Sequence, residues 1–221
     1  MTELLVKNGK IKKSNNWCFL VYNFGLPAYR SRTGLKTCPM AGACAAGCYA
    51  TMGAYAWSGV AQAYEWRLEK TLRADFVEIM SAAIAVKAKT AARTRKQLVI
   101  RIHDSGDFYS SKYIQNWLKI IASFPDVIFY AYTKQVILFK RLTIPRNFSV
   151  IFSEGGLADD KIDLYQDRHA RVFASEKELL DAGYVNASED DLLAIGQSHK
   201  VGLIYHGHKS KTWTTHTRKA G

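Results

Sequence analysis

Three cysteines fall close together in the run Cys38-Pro-Met-Ala-Gly-Ala-Cys44-Ala-Ala-Gly-Cys48-Tyr49-Ala50, a C-x5-C-x3-C spacing. Thiolates are soft ligands suited to Zn²⁺ or to iron–sulfur clusters. Structural zinc normally takes four protein ligands, usually as two close pairs, and no second pair follows this triplet. Three thiolates in a loop of small residues instead suit a 4Fe–4S cluster with one iron left open. An open iron can take a substrate or a cofactor, which is the logic of radical S-adenosylmethionine chemistry. Small residues between the ligands let the backbone wrap the cluster and bond its sulfides, and Tyr49, beside the last cysteine, can shield a bound cofactor. Alternatives stay open: Zn²⁺ in place of the cluster, Cys18 as a fourth ligand that closes the site, or thiols packed as small hydrophobes without metal. Cys18 stands in the apolar run Trp-Cys-Phe-Leu-Val-Tyr, which favours core packing for it over ligation.

A second set of candidates comes from strand ends, because parallel α/β folds bind ligands at the carboxyl ends of their strands. After Gln97–Ile102 (QLVIRI) come His103, Asp104, Ser105, Gly106 and Asp107; after VIFYAY come Thr133 and Lys134; after FSVIF come Ser153, Glu154, Gly155 and Gly156. Asp, Ser and Gly after a strand also serve as turns and caps, but five polar or small residues in a row exceed what a turn needs. Asp104, Ser105 and Asp107, with Gly106 between them, are candidates for the polar groups of a cofactor or substrate. Lys134 offers a cation to a carboxylate or phosphate, and His103 is an acid–base candidate paired with Asp104 or Asp107. Ser153, Glu154 and Gly155 form a cofactor-facing turn where glycine admits close backbone approach. A hydrolase built on His103-Asp104-Ser105 is weak, since neighbours on one strand point in opposite directions.

The elements that must position these groups read as α/β. Trp17–Phe24 has strand composition, and residues 25–54 hold the cysteines among Gly, Ala and Pro. Tyr55 to about Thr90 is helical, as two helices joined near 71–74. Strands at 97–102, 127–132, 148–153, 171–174 and 201–205 then alternate with helices at 113–123, 136–142 and 176–182, which predicts βα units and a mainly parallel sheet with flanking helices. Residues 1–16 read as a loose basic arm or an edge strand, and 209–221 as a frayed tail. The chain is read as one domain: arm, strand and cysteine loop over 1–54, helices over 55–96, βα units over 97–208.

Length and composition fit this reading. A chain of 221 residues with 48% hydrophobic and 23% charged residues supports a buried core and excludes wholesale disorder. The formal net charge is +12, and it is uneven. Residues 1–96 carry 15 basic and 5 acidic side chains, whereas 97–221 carry 16 and 14. A nucleic acid held through the basic half, with Arg30, Arg32 and Lys36 beside Tyr29, Tyr55 and Trp57, is therefore the alternative function; added solubility is the plain explanation. No secretory leader is read at Met1-Thr2-Glu3, and no apolar run reaches the ~18 residues of a membrane span. A cytoplasmic setting is expected, where clustered cysteines read as metal ligands before disulfides.

The combination of Gly25-Leu26-Pro27-Ala28, Thr37-Cys38-Pro39, Cys44, Cys48-Tyr49-Ala50, Arg101-Ile102-His103-Asp104-Ser105-Gly106-Asp107-Phe108-Tyr109-Ser110, Tyr113, Trp117 and Phe129–Lys134 resembles the bacteriophage "gene product 88" domain family through most of the chain. The Cys-Tyr-Ala ending is also similar to phage proteins regarded as distant radical S-adenosylmethionine relatives. That resemblance implies a partial β/α barrel with the cluster loop at its mouth, and a phage-encoded protein in host cytoplasm. The loop departs from the usual radical-enzyme spacing, C-x3-C-x2-C. Members of the phage family often carry further cysteines near the C-terminus; here His206 and His208 stand in that stretch and read as surface histidines rather than a second metal site.

Overall fold

The computed structural model describes residues 2–196 and 198–205. Its centre is a curled half-barrel sheet of seven parallel strands flanked by helices, so both the parallel sheet and the partial barrel expected above are present. The strands are β1 (Phe19–Phe24), β2 (Gln97–Ile102), β3 (Ile128–Thr133), β4 (Phe148–Ser153), β5 (His169–Phe173), β6 (Val185–Asn186) and β7 (Lys200–Ile204), in the spatial order 1-2-3-4-5-7-6. Every paired strand is parallel to its neighbours, which gathers all their carboxyl ends on one rim.

Strand residues alternate between two apolar layers, and this explains why the runs are apolar throughout rather than at every second position. Leu20 and Phe24 of β1, Leu98, Ile100 and Ile102 of β2, and Phe129 and Ala131 of β3 point to the convex side. There they meet α3 (Phe76–Arg93) through Met80 and Ile84, and α4 (Ser111–Ala122) through Tyr113, Trp117 and Ile121. Alpha-4 starts where Ser110 caps it, its side chain accepting from the Tyr113 N–H. The intervening strand residues Val21, Val99, Tyr130, Ile151, Ala170 and Val201 form the concave layer. The predicted helix pair is α2 (Ser58–Leu72) and α3, with the break at 73–75.

Residues 1–16 differ from expectation. They are neither a loose arm nor a regular edge strand. Val6 forms one antiparallel bridge to Asn23, and α1 (Gly9–Ser14) follows, capped by the Asn8 side chain on the Ile11 N–H. Ile11 and Leu5 are fully buried. Alpha-1 and the 3-10 turn Asp191–Ile195 lie over the concave layer, where Ile11 and Ala194 pack on it. Leu4, Leu5, Val6 and Ile11 among seven cations and amides show no period, so burial of this segment leaves no sequence pattern. The two-residue β6 and the short helices α5 (Val136–Phe139) and α6 (Glu176–Asp181) complete the fold.

Candidate functional site

The cysteine loop leaves the carboxyl end of β1 and docks on the carboxyl end of β4. The N–H groups of Gly42 and Cys44 both donate to the Gly155 carbonyl, at 3.1 Å each, and Leu157 N–H donates to Met40 O at 3.0 Å. The approach is too close for side chains. A Cβ on Gly42 would stand 3.0 Å from the Gly156 carbonyl, and one on Gly155, whose φ is +95°, would stand 3.3 Å from Cys44 Cβ. The glycine turn after β4 thus admits close approach as expected, but what it admits in this structure is the cysteine loop.

The three thiols form one electrostatic group. Cys48 feels both Cys38 and Cys44, and the Lys134 ammonium lies near enough to favour the thiolates of Cys38 and Cys48. Burial pushes the Cys38 thiol up to about 12, with Asp107 adding to the rise, and burial also pushes Cys48 up. Among the described residues no three His, Cys, Asp or Glu side chains converge as a single metal ion requires. Thiolates on a cubane bind different irons and stand farther apart than those on one ion. Cys18 is not part of the group: its carbonyl accepts from the Gln97 N–H at the amino end of the strand pair, one strand length, about 20 Å, from the loop.

Asp107 and Lys134 tie this loop to the rim. Asp107 Oδ1 accepts from the Phe108 N–H (2.7 Å) and the Thr133 hydroxyl (2.6 Å), and Oδ2 accepts from the Lys134 N–H (2.9 Å). Its own N–H donates to Thr37 O at 3.0 Å, next to Cys38. Burial pushes the Asp107 carboxyl up while these donors oppose it. A carboxylate so occupied positions the turn after β2 against the end of β3. Lys134 Nζ donates to Ser153 Oγ at 2.9 Å. Glu154 is held by Arg171, with Nε 3.0 Å from each carboxylate oxygen and Nη2 at 2.8 Å, so it closes the β4–β5 rim rather than facing a cofactor.

Asp104 anchors a tyrosine cluster. Its Oδ2 accepts from Asn8 Nδ2 (2.9 Å), Tyr64 Oη (3.0 Å) and Tyr55 Oη (3.4 Å), while its carbonyl accepts from Tyr49 Oη. Tyr49 is half exposed along its ring, but its hydroxyl end is buried, and burial pushes it up to about 12. Burial and the Asp104 charge also push Tyr55 and Tyr64 up. Ser105 is buried with its carbonyl accepting from the Leu26 N–H at 2.8 Å. Gly106, at φ +77°, leaves room only for hydrogen, since a Cβ would lie 2.6 Å from Leu26 Cβ. Both shape the turn after β2.

His103 goes the other way. Its φ of +67° carries the ring into the convex core, edge-on to Phe108 at 4.6 Å, with Nε2 at 2.9 Å from Tyr113 Oη. It makes no hydrogen bond to Asp104 or Asp107, the partners expected for an acid–base role, and packs as a core histidine. Burial first, then Arg101, push its pKa down to about 3. The unfolded chain, near 6.5, binds a proton that the folded state refuses. His103 therefore leaves stability intact above about pH 6.5 and removes up to about 1.4 kcal/mol per pH unit as pH falls from there toward 3. Urea unfolding of His103→Asn, a residue that tolerates positive φ, is expected to show a shallower loss between pH 6.5 and 4 than the parent; equal slopes would refute the assignment.

The sequence reading missed a polar group inside the half-barrel. Asp191 accepts from Arg101 Nη1 (2.8 Å) and Tyr130 Oη (2.9 Å) and pairs with Lys10 Nζ (2.6 Å). The Arg101 guanidinium lies over the Tyr132 ring, 5.2 Å from its centroid. One signal was available: a buried parallel strand that carries an arginine must supply it a partner. The partner lies 90 residues away, on a turn with no pattern of its own.

Fold and site together define an α/β half-barrel protein with a cysteine-bearing loop seated on the carboxyl rim of its sheet. The chain belongs to the Gene product 88 family, whose family model matches residues 2–221. It is 32% identical over 127 residues to the Gene 88 protein of Mycobacterium phage L5, covering 56% of this chain and 52% of that protein. It is 31% identical over 127 residues to the Gene 88 protein of Mycobacterium phage D29, covering 56% and 51%. The match thus spans about half the length of these relatives. No solved structure matches the chain. Among the described residues no helix is long and apolar enough to cross a membrane. His206 and His208 lie outside the described residues.

Proposed function

We propose that Cys38, Cys44 and Cys48 hold a 4Fe–4S cluster at the mouth of the half-barrel, and that the protein is a radical S-adenosylmethionine-like enzyme acting on a small molecule there. The observation that carries this reading is that Cys38, Cys44 and Cys48 share one loop of small residues, docked on the strand-end rim through the Gly42 and Cys44 N–H bonds to the Gly155 carbonyl. Such a cluster supplies an electron and an open coordination position. The chain's own part is to hold the loop in register through Asp107 and Gly155, while the Lys134 ammonium offsets part of the burial that favours the protonated thiols. Tyr49 covers the inner side of the loop, with its hydroxyl fixed on the Asp104 carbonyl.

Anaerobic purification with iron and sulfide analysis tests the reading. Brown protein is expected, with cluster iron lost in Cys38→Ala, Cys44→Ala and Cys48→Ala and kept in Cys18→Ala. A colourless protein with stoichiometric zinc, or iron unaffected by the three substitutions, refutes it. Adding S-adenosylmethionine to the reduced protein is then expected to change the cluster's electron paramagnetic resonance signal; an unchanged signal removes the radical-enzyme part.

A second reading, nucleic-acid binding, is favoured by one feature. The hairpin closed by the Arg30–Lys36 bridge presents Arg30, Arg32 and Lys36 in the open beside Tyr29, and Trp57 is 68% exposed. Four other cations of the basic half, Lys10, Lys13, Arg73 and Lys87, each pair with a carboxylate. DNA or RNA affinity that falls steeply with salt supports this reading, and a flat response removes it.

A further inference from the structure

Among the described residues, the concave interior holds a group of buried donors that no acceptor meets. Arg101 Nε, Arg168 Nε and Nη2, Tyr132 Oη and Asn23 Nδ2 are all shielded from water and all lack a hydrogen-bond partner. Such atoms are rare in folded proteins, because each costs its lost hydration. They are also neighbours. Asn23 and Arg101 are in register across β1 and β2. Arg101 lies over the Tyr132 ring. The Arg168 carbonyl accepts from the Phe152 N–H on β4, beside the strand that carries Tyr132, and the Arg168 charge reaches the Tyr132 hydroxyl.

Charge points the same way. Asp191 faces two cations, Lys10 and Arg101, and Arg168 has no ion pair among the described residues. Arg168 thus brings a cation without a paired carboxylate to a face lined by unpartnered donors. Arg101 is 8% exposed and Asn23 is fully buried, so water does not satisfy them. Two guanidinium groups flanking a hydroxyl match the acceptor pattern of an oxyanion, to which Arg bonds through its planar fork.

We infer that the half-barrel binds the anionic group of a small molecule, a carboxylate or a phosphate, between Arg101 and Arg168, with Tyr132 Oη and Asn23 Nδ2 as further donors. This inference does not rest on the cysteines carrying a metal. It gives the positive net charge of the chain a buried, stoichiometric use alongside any surface use.

Thermal denaturation of the full chain during titration with sodium phosphate, and separately with sodium acetate, at constant ionic strength tests it. The melting temperature of the parent is expected to rise saturably with at least one of them; saturation by phosphate alone or acetate alone assigns the class. Tyr132→Phe removes an unpartnered hydroxyl, so the ligand-free protein keeps its stability, yet its apparent dissociation constant should rise about tenfold, the weight of one charge-assisted hydrogen bond. Arg168→Gln should do the same or more. Identical curves for the parent and Tyr132→Phe, or a rise that follows ionic strength alone, overturn the inference. Iron content measured on the same samples keeps this outcome separate from that of the cluster.

Discussion

Asp191→Ala is expected to destabilise the fold by about 3–5 kcal/mol, the range for breaking a buried ion pair by removing one partner. Asp191 is fully buried, and its carboxylate is the acceptor for Arg101, Tyr130 and Lys10 at once. Truncation leaves the Arg101 guanidinium, already short of a partner at Nε, without its ion-pair partner. It also removes the charge partner of Lys10, leaving α1 its Lys10 bond to the Ala187 carbonyl and the bond from the Asp191 N–H to Ser14 Oγ. Burial alone would push the Asp191 carboxyl up; the adjacent Arg101 and Lys10 charges override it and hold it at about 2. The folded value thus lies below the unfolded one near 3.9. The stabilisation is fully present above about pH 4 and is lost as pH falls toward 2. Urea midpoints at pH 7 and pH 3 measure both effects. A loss under about 1 kcal/mol at pH 7 would show that the cluster is neutral in its net effect, as some buried ion pairs are. The double variant Arg101→Met, Asp191→Leu is expected to recover much of the loss, because it removes both charges together.

The same cluster marks where sequence reading ran out. Strands β2 and β4 were legible residue for residue because QLVIRI and FSVIFS are short apolar β-branched runs bounded by polar residues. The rim was legible too, since polar groups after parallel strands follow from topology. What the sequence could not show was direction. His103 sits one residue from Asp104, yet its left-handed backbone sends the ring to Tyr113 in the convex core, while Asp104 turns to Asn8 and Tyr64. Nor did the sequence show which polar residues spend their bonding capacity on the fold. Glu154 looked free beside two glycines but is matched by Arg171. The interior donors escaped for the opposite reason. Arg101, Tyr132 and Asn23 lie within strands, at positions where a pattern of alternation reads only "buried", and their company comes from strands dozens of residues apart.

Asp107→Ala is expected to cost about 3 kcal/mol or more and to loosen the cysteine loop in the same step. The carboxylate accepts three hydrogen bonds, two from backbone N–H groups and one from Thr133, and bonds to a charged group contribute about 1.5–3 kcal/mol each when both partners are present. These bonds join the turn after β2 to the end of β3. Neighbouring backbone carries the consequence onward, because the Asp107 N–H holds Thr37 O and the Lys134 side chain lies beside Cys38 and Cys48. Thr133→Val removes only one of the three donors and should cost about 1 kcal/mol. Removing the Asp107 charge also lifts one of the two main causes that raise the Cys38 thiol, burial being the larger. Alkylation of Cys38 in metal-free protein under native conditions should therefore speed up in Asp107→Ala, through greater exposure and a larger thiolate fraction, and stay near the parent rate in Thr133→Val. Asp107→Asn separates the two contributions: it keeps the two acceptor bonds of one oxygen, loses the charge, and sets an amide N–H against the Lys134 N–H. If Asp107→Asn alkylates as fast as Asp107→Ala while unfolding at the parent urea midpoint, charge alone governs the thiol and the carboxylate is not the staple of the rim.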